Sequence, residues 1–469
     1  MKFFVKLAAA TSIVAPVGGN LLAQTVTNLQ VPAHERVVLD NGITLVVMPR
    51  REVPLIAFSA VVRSGTLADP ASKPGVASLV AGLLEKGAGS RDAFAFADAV
   101  EGVGGSFGAA AGPEAITLGG QFLSRDRDLM IELLADALQR PRFDAAEFDK
   151  LRARQIEFIK AAKDSDPSEL IGTYGRAWLF GAHPYGRPTA GSEGSLAEIT
   201  HDDVVAYARS NFGADRLSIA IVGDVDVAWA RRAVTRAFGS WPKARHALPT
   251  LAAPQKVAAR RVLLVDSPGS VQSYFWIGNV GVDKRFPQRA ALDLANTLYG
   301  GRFTSILNTE LRIKSGLSYG ARSGFVRGSV PGEFSIRSFA QTENTEKALD
   351  LALETLARLH KDGISQEMLD SSRSYVLGQY PLALETSSSW ASAMTELELY
   401  RLGPDYINGY FPALRGVKLE DERAVIDRAF PPVDQLVIVL IGDAAKIRSA
   451  AAKYGAVSEM PITQTSFAP

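Results

Sequence analysis

The chain of 469 residues contains no cysteine. Disulfides, thiolate nucleophiles and cysteine-held metals are excluded together, and a protein without thiols crosses an oxidising compartment with none to mispair. Histidine is almost as scarce. The five, His34, His183, His201, His246 and His360, include no two within four residues of each other, so there is no helical pair of the kind that binds zinc. Net charge is missing too: 51 lysines and arginines against 50 acidic residues leave +1, which provides no long-range field for nucleic acid or an anionic membrane. After the first two dozen residues no apolar run approaches the roughly 20 residues of a membrane-spanning helix. No Gly-x-Ser-x-Gly elbow stands in a strand–turn–helix setting, as a serine hydrolase would need. The glycine-rich "GVGGSFGAAAG" (102–112) lacks the Lys-Ser/Thr ending of a phosphate loop. His183, in the Gly- and Pro-dense "GAHPYGRP", reads as a structural loop residue.

What is present begins with a leader. A basic start with Lys2 and Lys6, an apolar run over 7–17 and "LLA" before Gln24 predict a secretory signal peptide over 1–23, cleaved after Ala23. An uncleaved membrane anchor is the alternative, but the run is short for a span. The mature chain is therefore expected to be soluble and exported, periplasmic in a Gram-negative cell, with no membrane attachment. Its composition, 47% hydrophobic and 22% charged, suits large globular cores. Two segments share one plan. "LSIAIVGDVDVAWARRAVTRAFGSW" (217–241) and "LVIVLIGDAAKIRSAAAKYG" (436–455) each read as apolar strand, Gly-Asp turn and amphipathic helix, and Asp224 and Asp443 lie 219 residues apart. Strand-Gly-Asp-helix is a common local pattern, but its place at the end of both halves predicts a tandem duplication. The predicted class is α+β: two homologous domains over 24–241 and 261–469, each a mostly antiparallel sheet packed with helices, joined by a Pro- and Ala-rich linker over 242–260.

Two further stretches carry chemistry. In "VASLVAGLLEKG" (76–87), Val76, Leu79, Val80, Leu83 and Leu84 form a helical core stripe with Gly87 as its cap. The adjoining stripe is bare: Ser78, Ala81 and Gly82. In "GGRFTSILNTELRIKSGLSYG" (300–320), Phe303, Ile306, Leu307 and Leu311 predict a core-facing helix, and Arg312 falls in its last turn. Gly316 is then free to end the helix in a left-handed turn, with Tyr319 starting the next strand. A guanidinium fork and a phenol could together hold a carbonyl or an oxyanion. A structural arginine and a half-buried sheet tyrosine fit the spacing alone as well.

The order of motifs resembles the inverted-motif zinc peptidases that include pitrilysin, insulin-degrading enzyme and the mitochondrial processing peptidase. It runs from "LDNGITLVVMPRREVPLIAFSAVVRSGTLADP" through "GVASLVAGLLEKGAGSR", "FGAHPYGRPTAGSEGSLAEITHDDVVAYARSNF" and "IVGDVD" to "LYGGRFTSILNTELRIKSGLSYGARSGF". The resemblance implies a clamshell half built of two related α+β domains. It places the family's His-x-x-Glu-His helix on "SLVAG", so the zinc histidines fall at Ser78 and Gly82 and the water-activating glutamate at Ala81. The third ligand falls near 155–159, beside Glu157. It also implies that Arg312 and Tyr319 are the substrate-holding pair. With the zinc set gone and that pair kept, the chain is similar to the non-catalytic subunit of two-subunit members. On that likeness it binds no cofactor itself, and zinc is expected in a paralogous partner subunit that acts on peptide substrates. A pseudopeptidase that binds peptides or scaffolds an assembly without hydrolysis is the alternative.

Overall fold

The computed structural model describes residues 28–469; the leader and its expected cleavage after Ala23 lie outside the described residues. Continuous apolar runs such as "TLVVM" and "VIVLI" are unsuited to a sheet with one wet face, because successive side chains point to opposite sides. They sit accordingly in two six-stranded sheets that are covered on both faces. The first sheet holds β1 (Glu35–Val38), β2 (Thr44–Pro49), β3 (Leu55–Arg63), β4 (Ser106–Ala111), β5 (Ala115–Leu123) and β6 (Leu217–Gly223), in the order β1-β2-β6-β3-β5-β4. The second holds β7 (Arg261–Asp266), β8 (Gln272–Val280), β9 (Ala321–Phe325), β10 (Glu333–Gln341), β11 (Val437–Gly442) and β12 (Ala456–Pro461), in the order β9-β10-β8-β11-β7-β12. Five positions correspond from β4/β9 inward to β2/β7, which is the shared plan of the two halves. The sixth strand differs. β1 enters from the chain start and pairs antiparallel with β2, whereas β12 comes from the chain end and pairs parallel with β7.

Alternation along each strand divides the cores. On β2 and β6, Leu45, Val47, Ile219 and Ile221 face the first half's own helices, while Val46, Met48, Ala220 and Val222 face the other way. The helices of the first half include α1 (Val76–Leu83), α2 (Ala145–Ser165), which packs on α1, and α3 (Ile171–Phe180). The opposite face is closed by α4 (Ser387–Leu399), which belongs to the second half and brings Trp390, Ala391, Met394 and Leu397 onto it. A buried hydrogen bond of 2.7 Å joins Ser59 Oγ and Thr395 Oγ1 across that contact. The exchange is reciprocal. α3 from the first half lies on β8 and β11 of the second sheet, where Trp276, Val437, Val439 and Ile441 join the first half's core. The fit is close enough that a Cβ at Gly175 would stand 2.5 Å from the Trp276 ring. Phe467, near the chain end, stacks edge-on against Tyr174 of α3 at 4.9 Å.

α5 (Leu419–Ala429) contains one group that the sequence gives no reason to expect in a core. Glu422 is fully buried, and neither carboxylate oxygen has a hydrogen-bond partner among the described residues. Burial pushes its carboxyl up to about 8, with Arg373 opposing. The folded pKa is thus above the unfolded value, so the stabilising proton is fully retained below about pH 4.5 and lost as pH rises through about 8. Glu422→Gln is therefore expected to raise the denaturation midpoint at pH 9 and to leave it nearly unchanged at pH 4.5. Equal midpoints of mutant and parent at pH 9 would refute this.

Candidate functional site

The helix with the bare stripe is held firmly in place. α1 buries Val76, Leu79, Val80, Leu83 and Leu84 as the periodicity predicts. Its first turn is gripped from outside the helix: Asp69 accepts from Gly75 N and Ala77 N, each at 2.8 Å. Burial pushes that carboxyl up to about 7, against the pull of the two amides and Arg187. The expected cap at Gly87 is not used. The helix stops at Leu83, because Gly87, with φ of 112°, instead opens a short strand pair with Arg91–Asp92.

The bare stripe itself is filled by α2. A Cβ at Gly82 would meet Leu151 Cδ2 at 2.9 Å, so the missing side chain is what admits Leu151. One turn along α2, Gln155 reaches Ser78 Oγ at 3.5 Å and also bonds Ala190 O. Ala81 is buried. Leu151 and Gln155 are an i, i+4 pair set against Ser78 and Gly82, also i, i+4, which is how two helix faces mesh. Glu157, the carboxylate near the expected third-ligand position, points away and pairs with Lys160 at 2.9 Å. A hydroxyl, a methyl and a hydrogen supply neither an imidazole nor a general base, so these residues do not fit zinc. Among the described residues no cluster of three or more His, Asp or Glu is placed to hold a metal ion. Restoring the three side chains alone (Ser78→His, Ala81→Glu, Gly82→His) is expected to leave zinc well below one per chain after dialysis, because Leu151 fills the space and Gln155 offers an amide. Stoichiometric zinc in metal analysis would overturn that account.

The second half brings its two singled-out residues together. Arg312 lies in a π-helical turn, Thr309–Lys314, that continues the short helix Ile306–Asn308. Gly316 takes the left-handed conformation, φ 65°, and turns the chain back. Tyr319 follows two residues before β9 rather than within it, and it is 77% exposed. The Arg312 guanidinium carbon stands 4.7 Å from the Tyr319 ring centre. Leu307 and Leu311 are buried as expected, but Phe303 is not a core residue. It precedes the helix, is 61% exposed, and lies 5.0 Å from the same guanidinium on its own account. Arg312 is therefore held by two aromatic rings, a cation–π arrangement that leaves the rim of the fork free. Among the described residues no carboxylate or carbonyl takes its N–H groups. Such a group offers preset donors to a carbonyl or carboxylate arriving from solvent. The sequence reading missed Phe303 as a contact because the helical period was extended one turn too far. His183 is structural: Nδ1 accepts from Tyr185 N at 3.1 Å, which leaves Nε2–H to donate to Ala252 O at 2.9 Å.

Two family models match the chain: "Insulinase (Peptidase family M16)" over residues 46–193 and "Peptidase M16 inactive domain" over residues 198–375. An uncharacterized zinc protease of Mycobacterium leprae is 26% identical over 365 residues, which is 78% of this chain and 82% of that protein. The non-peptidase homolog YmxG of Helicobacter pylori is 25% identical over 334 residues, 69% of this chain and 74% of that one. Among solved structures, a peptidase M16 inactive domain from Pseudomonas fluorescens superposes with a TM-score of 0.82 at 25% identity, covering 87% of this chain and 98% of that chain.

Proposed function

Since the chain belongs to peptidase family M16 and is a non-catalytic member of it, we propose that it is the zinc-free subunit of an exported, periplasmic metallopeptidase heterodimer. In this reading a paralogous subunit carries the zinc, and the two chains close on a peptide. Arg312 holds a backbone carbonyl or terminal carboxylate of the substrate, and the Tyr319 hydroxyl donates to the oxygen that gains charge as the peptide bond is attacked. The domain boundaries at 24–241 and 261–469 belong to the same proposal.

The observation that carries the reading is an asymmetry. The stripe where metal donors would stand is filled by Leu151 and Gln155, whereas Arg312 and Tyr319 are stacked together, with Tyr319 exposed and the Arg312 fork claimed by no acceptor among the described residues. A chain that served only as a scaffold has no use for a half-buried guanidinium held against two rings with no acceptor among the described residues.

The test is to purify the chain alone and together with a His-x-x-Glu-His paralogue from the same genome, and to assay cleavage of quenched fluorescent peptides alongside zinc content. Activity confined to the mixture supports the proposal. Cleavage by the isolated chain sinks it. Peptide binding by a mixture that never cleaves would favour the pseudopeptidase reading instead.

A further inference from the structure

A concave site lies on the first half, between the segment that leads into α2 and the start of the linker. Its volume is about 550 Å³. Five cations line it, Arg140, Arg142, Arg209, Lys243 and Arg245, and no acidic residue does. The floor is apolar: Leu138, Phe143, Phe212 and Trp241 are all buried. Arg140 is ion-paired with Asp136 and Arg142 with Asp144 at 3.0 Å. Arg209, Lys243 and Arg245 are exposed and make no ion pair among the described residues.

The wall is fixed rather than loose, although it belongs to the linker. Ala214 N donates to Pro242 O at 2.9 Å, and Ala244 N donates to Asp215 Oδ1 at 2.8 Å. The buried Arg216 guanidinium bonds His246 O and, at 3.1 Å, Asn211 O. A Cβ at Gly213 would stand 2.0 Å from Ala244 N, so only glycine lets the linker lie this close. With Ala244 pinned to the body of the domain, its neighbours Lys243 and Arg245 are both held at the rim. Phe143 reaches the floor from a left-handed backbone, φ 47°, that a bulky residue rarely adopts. Its carbonyl is held by His201 Nε2 at 2.6 Å.

An unpaired cationic rim over an aromatic floor matches one ligand chemistry. We propose that this cavity binds an amphiphilic anion, with a carboxylate or phosphate headgroup held by Arg209, Lys243 and Arg245 and an apolar tail laid on Phe143, Phe212 and Trp241. The cations then supply charge-assisted hydrogen bonds, and the aromatic floor supplies the apolar burial that a free inorganic anion cannot use. The overall charge of the chain is no objection, since the field that matters is that of the rim.

The experiment is calorimetric titration of the mature chain with decanoate, decyl phosphate, inorganic phosphate and decanol, at low and high salt. One saturable site for decanoate or decyl phosphate is expected, with phosphate and decanol each about tenfold weaker or more, and with affinity falling as salt rises. The tighter of the two headgroups distinguishes a free acyl anion from a phosphate ester as the source. Arg209→Glu combined with Lys243→Glu should weaken binding about tenfold or more while leaving the melting curve in place, because both side chains are exposed. Equal binding of inorganic phosphate, equal binding of decanol, or full affinity in the charge-reversed variant would each overturn the proposal.

Discussion

Tyr319→Phe, assayed in the complex with a zinc-bearing paralogue, is expected to lower kcat by roughly 10²- to 10³-fold with KM nearly unchanged, the usual cost of removing one donor aimed at a developing oxyanion. The substitution is clean, because the ring stays at its 4.7 Å distance from the Arg312 guanidinium and only the hydroxyl is lost. Arg312→Ala is expected to act differently. A charge-assisted hydrogen bond to the substrate backbone is made before and during reaction, so KM rises as well, and kcat/KM falls by about 10- to 100-fold, in line with roughly 1.5–3 kcal/mol. Steady-state kinetics on both variants, with gel filtration to show that the complex persists, separates these outcomes. Full activity in both would leave the pair a structural stack.

Trp276→Ala is expected to cost about 3–5 kcal/mol. Trp276 has no exposed surface, and its ring fills the space that Gly175 leaves on α3. The form of the denaturation curve matters as much as its midpoint. Because each sheet is covered by a helix from the other half, the loss should move one cooperative transition that includes both halves. Two separate transitions, with only the second one shifted, would mean that the helix exchange contributes little.

Much of this was legible beforehand because it is written in local periodicity. The core stripe of α1, the two strand-Gly-Asp-helix segments and the left-handed turn at Gly316 each follow from a few neighbouring side chains and backbone sterics. The stacking of Arg312 on Tyr319 follows from that turn. What lay beyond reach depends on residues distant in the chain. Nothing within 387–399 says that Trp390 and Met394 close a sheet some 170 residues upstream, roughly the separation from β6. The apolar residues Trp390, Met394 and Leu397, spaced along a stretch rich in serine and glutamate, fit any buried helix face equally well. Phe303 was misplaced because the helical period was carried back past Ser305, whose side chain caps the helix by accepting from Asn308 N. Glu157 offered the right chemistry at the wrong angle, and only the meshing of α1 with α2 shows that Gln155 and Leu151 face the stripe instead.

The exchanged helices also set a timetable. The first sheet is complete in sequence at Gly223, but α4, which covers Val46, Met48, Ala220 and Val222, is synthesised roughly 160 residues later. At the usual ~5–20 residues per second this leaves an apolar face open for about ten to thirty seconds. During that time the nascent chain presents a ready surface for holding chaperones and has no finished domain to resist being unthreaded. On the exported reading proposed above, this delay suits secretion: the precursor stays pliable until nearly all of it has been made, and the chain snaps shut as one body on the far side of the membrane.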